Sequence, residues 1–174
     1  IVNSTPLIVL SNINKLDLLK QLYGQIFIPQ AVYNEVTSKS DSACLQIKEN
    51  LDWINICEIK NVEEKKMYQA KLHSGEVEVM ILAQETPIAD LVIIDDNAAK
   101  KTAKYLGLTI TGTLGILLKA KQEGLVNNVS SCIDELLKIG FYISDEIIVT
   151  GNVNVNEIGT YYIYYDVEDS SGNV

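Results

Sequence analysis

Short apolar runs recur through the first 111 residues, and segments spaced for helices lie between them. The runs are IVN at 1–3, QIFIP at 25–29, WINICEI at 53–59, LVIIDD at 91–96 and LTI at 108–110. Antiparallel strands can be joined by a two-residue turn, whereas parallel strands need a crossover, usually a helix. This alternation therefore predicts an α/β domain whose parallel sheet carries helices on its faces. Residues 91–94 are apolar at every position, as in a strand buried on both sides.

The helical segments carry their own punctuation. STPLIVLSNINKLDLLKQLYG places Leu7, Leu10, Ile13, Leu16, Leu18 and Leu19 at helical spacing. Ser4 or Thr5 would cap it, Pro6 would fill its first turn, and Gly24 would follow its end, which predicts one helix. QAVYNEV predicts a short helix and SKSDSA a polar loop. NVEEKKMYQAKL predicts a polar helix, and HSGEVEVMILAQE a second one, broken from it near Gly75 with Ser74 as cap. NAAKKTAKYLG is helical up to Gly107, and TGTLGILLKAKQEG enters a helix through a Gly-rich turn. SSCIDELLKIG is amphipathic, with Ser130 or Ser131 as cap and Gly140 as stop.

The net charge of -9 is unevenly spread. Six of the 23 acids, but none of the 14 Lys and Arg residues, lie from Asp145 onward. The body is only mildly acidic, and would need a local basic patch or a bridging cation to hold a polyanion. No apolar window reaches the roughly 18 residues of a membrane span. No leader pattern opens the sequence, and with Ile1 already strand-like the native start is expected upstream. Cys44, Cys57 and Cys132 lie far apart without metal-ligand spacing, so they read as buried or incidental thiols in a reducing compartment.

Ligand sites in parallel sheets lie at the carboxyl ends of strands. Asn3, Asp95 and Asp96 fall at such ends, Glu35 on the short helix after Pro29, and Glu76 in the first turn of HSGEVEV. Carboxylates gathered into one pocket repel each other, and a divalent cation relieves the repulsion. Oxygen donors suit Mg²⁺ or Mn²⁺, which can activate water and offset charge on a phosphodiester. Each residue also has a plainer reading. Asp96 would cap the helix opening at Asn97, Glu35 would be a solvated acid, and Glu76 would complement a helix dipole. His73, the sole histidine, reads as surface or structural, so no Ser-His-Asp arrangement is supported. TGTLG at 111–115 lacks the ending of a P-loop. Lys100, Lys101, Lys104, Lys119 and Lys121 suit either a phosphate backbone or a solvated helix face.

Several stretches together resemble the PIN domain, in its prokaryotic branch that includes toxin components. They are residues 1–36, LHSGEVEVMILAQE, LVIIDDNAAKKTAKYLGLTITGTLGILLKAKQEGLV and IDELLKIGFYISDEII, in family order over about 1–148. The resemblance implies a three-layer α/β/α domain with a parallel sheet. It implies a cytoplasmic, Mg²⁺- or Mn²⁺-dependent endoribonuclease, the toxin of a toxin–antitoxin pair. It assigns catalysis and metal binding to Asn3, Glu35, Glu76 and Asp96, with Asp95 as an adjacent ligand. Lys100, Lys101, Lys104, Thr111 and Thr113 would guide RNA. An antitoxin would cover the pocket, and two copies would form a homodimer. Many PIN nucleases carry aspartate where this chain has Asn3, whose carbonyl oxygen can coordinate but adds no charge. The alternative is a non-catalytic PIN-like module that binds nucleic acid or protein.

From about residue 149 the helical period is lost, and Tyr161, Ile163, Tyr165 and Val167 alternate as in a strand. Residues 149–174 therefore predict a β-strand tail. GTYYIYYDVEDSSGNV within it resembles the closing strands of an immunoglobulin-like repeat from bacterial surface proteins.

Overall fold

The computed structural model describes residues 1–61, 63, 65, 73–86, 89 and 91–143. Ile1–Phe141 form one compact unit. The expected polar helix over 61–72 lies mostly outside the described residues, and the expected tail over 149–174 wholly so.

The α/β class predicted from the alternation is what forms. Strand β1 (Ile26–Pro29) pairs in parallel with β2 (Ile54–Cys57), and β3 (Leu91–Ile93) pairs in parallel with β4 (Thr109–Thr111). The amino-terminal segment 1–3 joins the two pairs. Asn3 N–H donates to the Ile93 carbonyl at 2.9 Å, and Ile93 N–H donates to the Ile1 carbonyl at 2.8 Å. On its other side, Val2 N–H donates to the Phe27 carbonyl at 3.0 Å. The return bond of a parallel ladder would come from residue 29, and Pro29 has no N–H. The spatial order is thus β2, β1, segment 1–3, β3, β4.

Helices α1 (Ser4–Asn12) and α2 (Asp17–Tyr23) replace the single helix expected there. Asn14 stops the first one. Its φ of 53° is left-handed, a conformation asparagine tolerates better than most residues. Asn14 N–H then donates to the Ser11 carbonyl and Lys15 N–H to that of Leu10, the paired bonds of a Schellman ending. The apolar spacing survives the break, because Ile13 and Leu16 are buried on either side of it.

Helix α3 (Gln30–Val36) follows β1 directly, as predicted. Helix α4 (Ser42–Glu49) was not expected; it starts inside the polar loop, where Asp41 accepts the Cys44 N–H at 3.0 Å. Helix α5 (Ser74–Glu85) has His73, not Ser74, at its N-cap position. It is buried continuously from Gly75 to Ala83, as befits a helix packed between other elements. Helices α6 (Asn97–Tyr105) and α7 (Thr113–Gln122) match the predicted segments. Helix α8 (Val129–Lys138) is capped by Asn128 through the Ser130 N–H, two to three residues earlier in the chain than the expected serine caps. Among the described residues, no helix is long and apolar enough to cross a membrane. The three cysteines are unbonded, and burial pushes the Cys57 and Cys132 thiols up, keeping them protonated near neutrality.

Helix α5 carries a second buried acid that the sequence reading passed over. Glu78 is 6% exposed. Its Oε2 accepts the Ala31 N–H at 2.9 Å, and its Oε1 pairs with Lys65 at 2.6 Å. The carboxylate thus fixes the start of α3, where unpaired N–H groups favour negative charge. Replacing it with alanine strands the buried amide and the ammonium. Glu78→Ala should cost about 2–3 kcal/mol in chemical denaturation, and Glu78→Gln less. Equal stability of Glu78→Ala and the parent would show that the contact carries nothing.

Candidate metal and nucleic-acid site

Asn3 ends the amino-terminal segment at the carboxyl side of the sheet and occupies the N-cap position of α1. An N-cap asparagine usually accepts a helix N–H through its side chain. Here the side chain makes no cap bond. Its Oδ1 is buried without a hydrogen-bond partner among the described residues, in a side chain 2% exposed. A buried polar atom left unpaired costs about 1–3 kcal/mol, so this oxygen marks a place where something polar belongs.

Gly75 defines what that oxygen faces. A Cβ added there would lie 3.7 Å from Asn3 Oδ1 and 3.0 Å from Glu35 Oε2. The two oxygens can be no further apart than those two lengths end to end. Glycine at 75 keeps the α5 backbone close to both, so α1, α3 and α5 meet at one point. Glu35 is exposed, and its carboxylate makes no hydrogen bond or ion pair among the described residues, its backbone carbonyl accepting from Ser38. Glu76, next along α5, is 9% exposed, and its Oε2 accepts the His73 N–H at 2.9 Å. That bond is half of a capping box and holds the carboxylate at the helix start.

The paired aspartates after β3 divide their work. Val2 lies opposite Ile93 in the parallel register, so the aspartates begin just past the level of Asn3. Asp96 is the N-cap of α6, its Oδ1 accepting the Ala99 N–H at 2.8 Å. It is exposed, and its Oδ2 makes no hydrogen bond among the described residues. Asp95 turns the other way. Its Oδ1 accepts the Thr113 N–H at 2.8 Å and its Oδ2 the Thr113 hydroxyl at 2.6 Å. The expected helix cap at Asp96 is therefore present, and a second cap, Asp95 on α7, was not foreseen.

Among the described residues no three His, Cys, Asp or Glu side chains stand close enough to hold a metal ion. The structure brings Asn3, Glu35 and the start of α5 together, and Asp95 and Asp96 follow on the neighbouring strand end. The donors are all oxygens, the class that Mg²⁺ and Mn²⁺ take. That chemistry and the orphaned Asn3 oxygen fit a hard cation.

The expected RNA-guiding residues separate. Lys101 and Lys104 are exposed on α6 and Lys100 is half-buried beside Gly112, its Nζ 3.5 Å from where a Cβ would sit. Thr111 is half-buried against Gly115. Thr113 is fully buried and committed to Asp95. Lys119 lies over the Tyr23 ring at 4.6 Å, and Lys121 donates to the Asn127 carbonyl. A cavity of about 410 Å³ opens at the opposite, amino-terminal ends of the strands, between Ile1, Tyr23, Ile26, Phe27 and Leu91, and no acid lines it among the described residues.

Gly112 has an ordinary φ of -123°, so conformation does not demand glycine there. The Asp95 carboxylate does, because a Cβ would meet its Oδ1 at 2.6 Å. Gly112→Ala should therefore break the bonds to Thr113 and cost about 2 kcal/mol in thermal melting. An unchanged melting temperature would mean the carboxylate moves aside without loss.

A family model described as PIN domain matches residues 1–157. No curated protein and no solved structure matches the chain. The PIN domain is a nuclease-type fold; its members generally bind nucleic acid and use divalent metal ions. With a match over most of its length, the chain belongs to the PIN-domain family.

Proposed function

We propose that the chain is a metal-dependent endoribonuclease that hydrolyses RNA phosphodiesters, and that it acts in the cytoplasm as the toxin of a toxin–antitoxin pair. The buried Oδ1 of Asn3, unpartnered among the described residues and facing Glu35 across Gly75, carries this reading. Asn3, Glu35, Glu76 and Asp96 would hold Mg²⁺ or Mn²⁺, each having an oxygen not engaged among the described residues. When bound, such a cation lowers the pKa of a water and offsets charge on the phosphodiester.

The chain's own groups prepare that site. The His73 N–H orients Glu76, and the Ala99 N–H orients Asp96. Lys101 and Lys104, exposed on the helix that Asp96 caps, would neutralise phosphates on either side of the scissile bond. Glu35 at the rim can turn toward an incoming cation at little cost, because nothing among the described residues ties it down. An antitoxin segment lying across this rim would block RNA and cation together. A homodimer would double the basic surface.

A non-catalytic PIN-like binding module is the second reading. The uncharged Asn3, and the lack of three acids at metal-holding distance among the described residues, favour it. Cleavage of a labelled single-stranded RNA by the full chain in Mn²⁺ separates the two. The nuclease reading expects cleavage that a chelator abolishes, and at least about a tenfold loss in Asp96→Asn. No cleavage by the folded parent would favour the binding module.

Asn3→Asp supplies a readout independent of turnover. A second carboxylate, buried at position 3 and facing Glu35, should lower the melting temperature in chelator, since burial and a like charge both disfavour it. Added Mn²⁺ should then raise it by more than in the parent, because tighter binding stabilises in proportion to ln(1 + [L]/Kd). A variant with no greater response to Mn²⁺ than the parent would remove position 3 from the ligand set.

A further inference from the structure

We infer that Asp95 is a positioning residue that acts through Asp96 and does not itself bind the cation. This rests on the metal-site reading above. Three observations converge on it. Both Asp95 oxygens are taken by one residue, Thr113, through its N–H at 2.8 Å and its hydroxyl at 2.6 Å. Thr113 is fully buried, so neither of these donors has water as a substitute. Gly112 leaves open the one approach by which the carboxylate reaches them, since a Cβ would sit 2.6 Å from Oδ1.

The result is a brace between the tip of β3 and the first turn of α7. Beyond β3, Ile94 N–H donates to the Thr111 carbonyl at 2.8 Å, extending the pairing to the doorstep of the brace. Asp96 is the next residue after it. With Asp95 tied to α7, the backbone at 96 has little room to swing, and Asp96 meets its own cap partner, the Ala99 N–H. Lys100 Nζ lies at the same corner, 3.5 Å from the Gly112 Cβ position, and supplies positive charge beside the brace. Two adjacent acids thus divide the labour. One anchors, and the other is presented with an oxygen to spare.

The division is testable because the amide analogue of Asp95 keeps the brace and loses only the charge. In Asp95→Asn the side-chain carbonyl still accepts the Thr113 N–H, and the NH₂ group donates to the Thr113 hydroxyl, which can turn to accept. Mn²⁺ titration of the full chain, followed by calorimetry, would compare Asp95→Asn, Thr113→Val and Asp96→Asn with the parent. Positioning predicts for Asp95→Asn no more than the modest weakening that loss of a neighbouring charge brings, and roughly tenfold weaker binding for both Thr113→Val and Asp96→Asn. Ligation by Asp95 predicts the reverse pattern. Asp95→Asn would weaken binding as Asp96→Asn does, while Thr113→Val, by releasing the carboxylate, would leave binding equal or tighter. That pattern would overturn the inference.

Hydrogen exchange of the Ala99 amide, measured in chelator, tests the brace without metal. Thr113→Val should speed this exchange relative to the rest of α6, and Asp95→Asn should not. Unchanged Ala99 exchange in Thr113→Val would overturn the inference. A parent that binds no Mn²⁺ would defeat the metal-site reading, and the exchange experiment alone would then decide whether Asp95 positions Asp96.

Discussion

Segment 1–3 is the constraint on which the rest depends. Its few hydrogen bonds join two strand pairs into one sheet, and no other described strand lies between them. It also ends in Asn3, so the residue that completes the sheet is the one whose side-chain oxygen is left without a partner. Fold and site are therefore coupled at a single residue. Val2 is fully buried and Ile1 nearly so, and that apolar burial offsets the cost of the orphaned amide oxygen beside it.

Four acids of this domain are held in place by backbone N–H groups. His73 N–H serves Glu76, Ala31 N–H serves Glu78, Ala99 N–H serves Asp96, and Thr113 N–H serves Asp95. Each amide belongs to a helix start, where unsatisfied N–H groups and the dipole both favour an anion. Glu35 is the exception, lying toward the exposed end of its helix with no such donor. The acids nearest helix starts are fixed, and the one that is not lies at the rim.

The class of fold was legible because the alternation of apolar runs and helical spacing admits few other solutions. All five runs became strands or, for 1–3, the bridging segment. What escaped was local. Asn14 broke a helix that apolar spacing alone carried straight through, because spacing does not register a left-handed residue. Asn128 took the cap from Ser130, a contest between neighbours that composition cannot decide. At the site, the helix-capping role of Asp96 could be read from its position before Asn97. The Asp95–Thr113 bonds could not, since they join residues 18 apart in sequence. Glu78 left a signal, a second acid inside the apolar run GEVEVMILA, and its buried place follows from that helix being covered on all sides.

Pro29 has a mechanical consequence. A ladder of many bonds resists sliding of one strand along its neighbour, whereas at the seam between segment 1–3 and β1 the Val2 bond to Phe27 has no return bond from Pro29. Glu35 rides on the helix that leaves β1, while Asp96 leaves β3 on the far side of that seam. Glu35 and Asp96 therefore stand on opposite sides of that seam. Their spacing thus depends on a join that a proline has relieved of one of its backbone bonds.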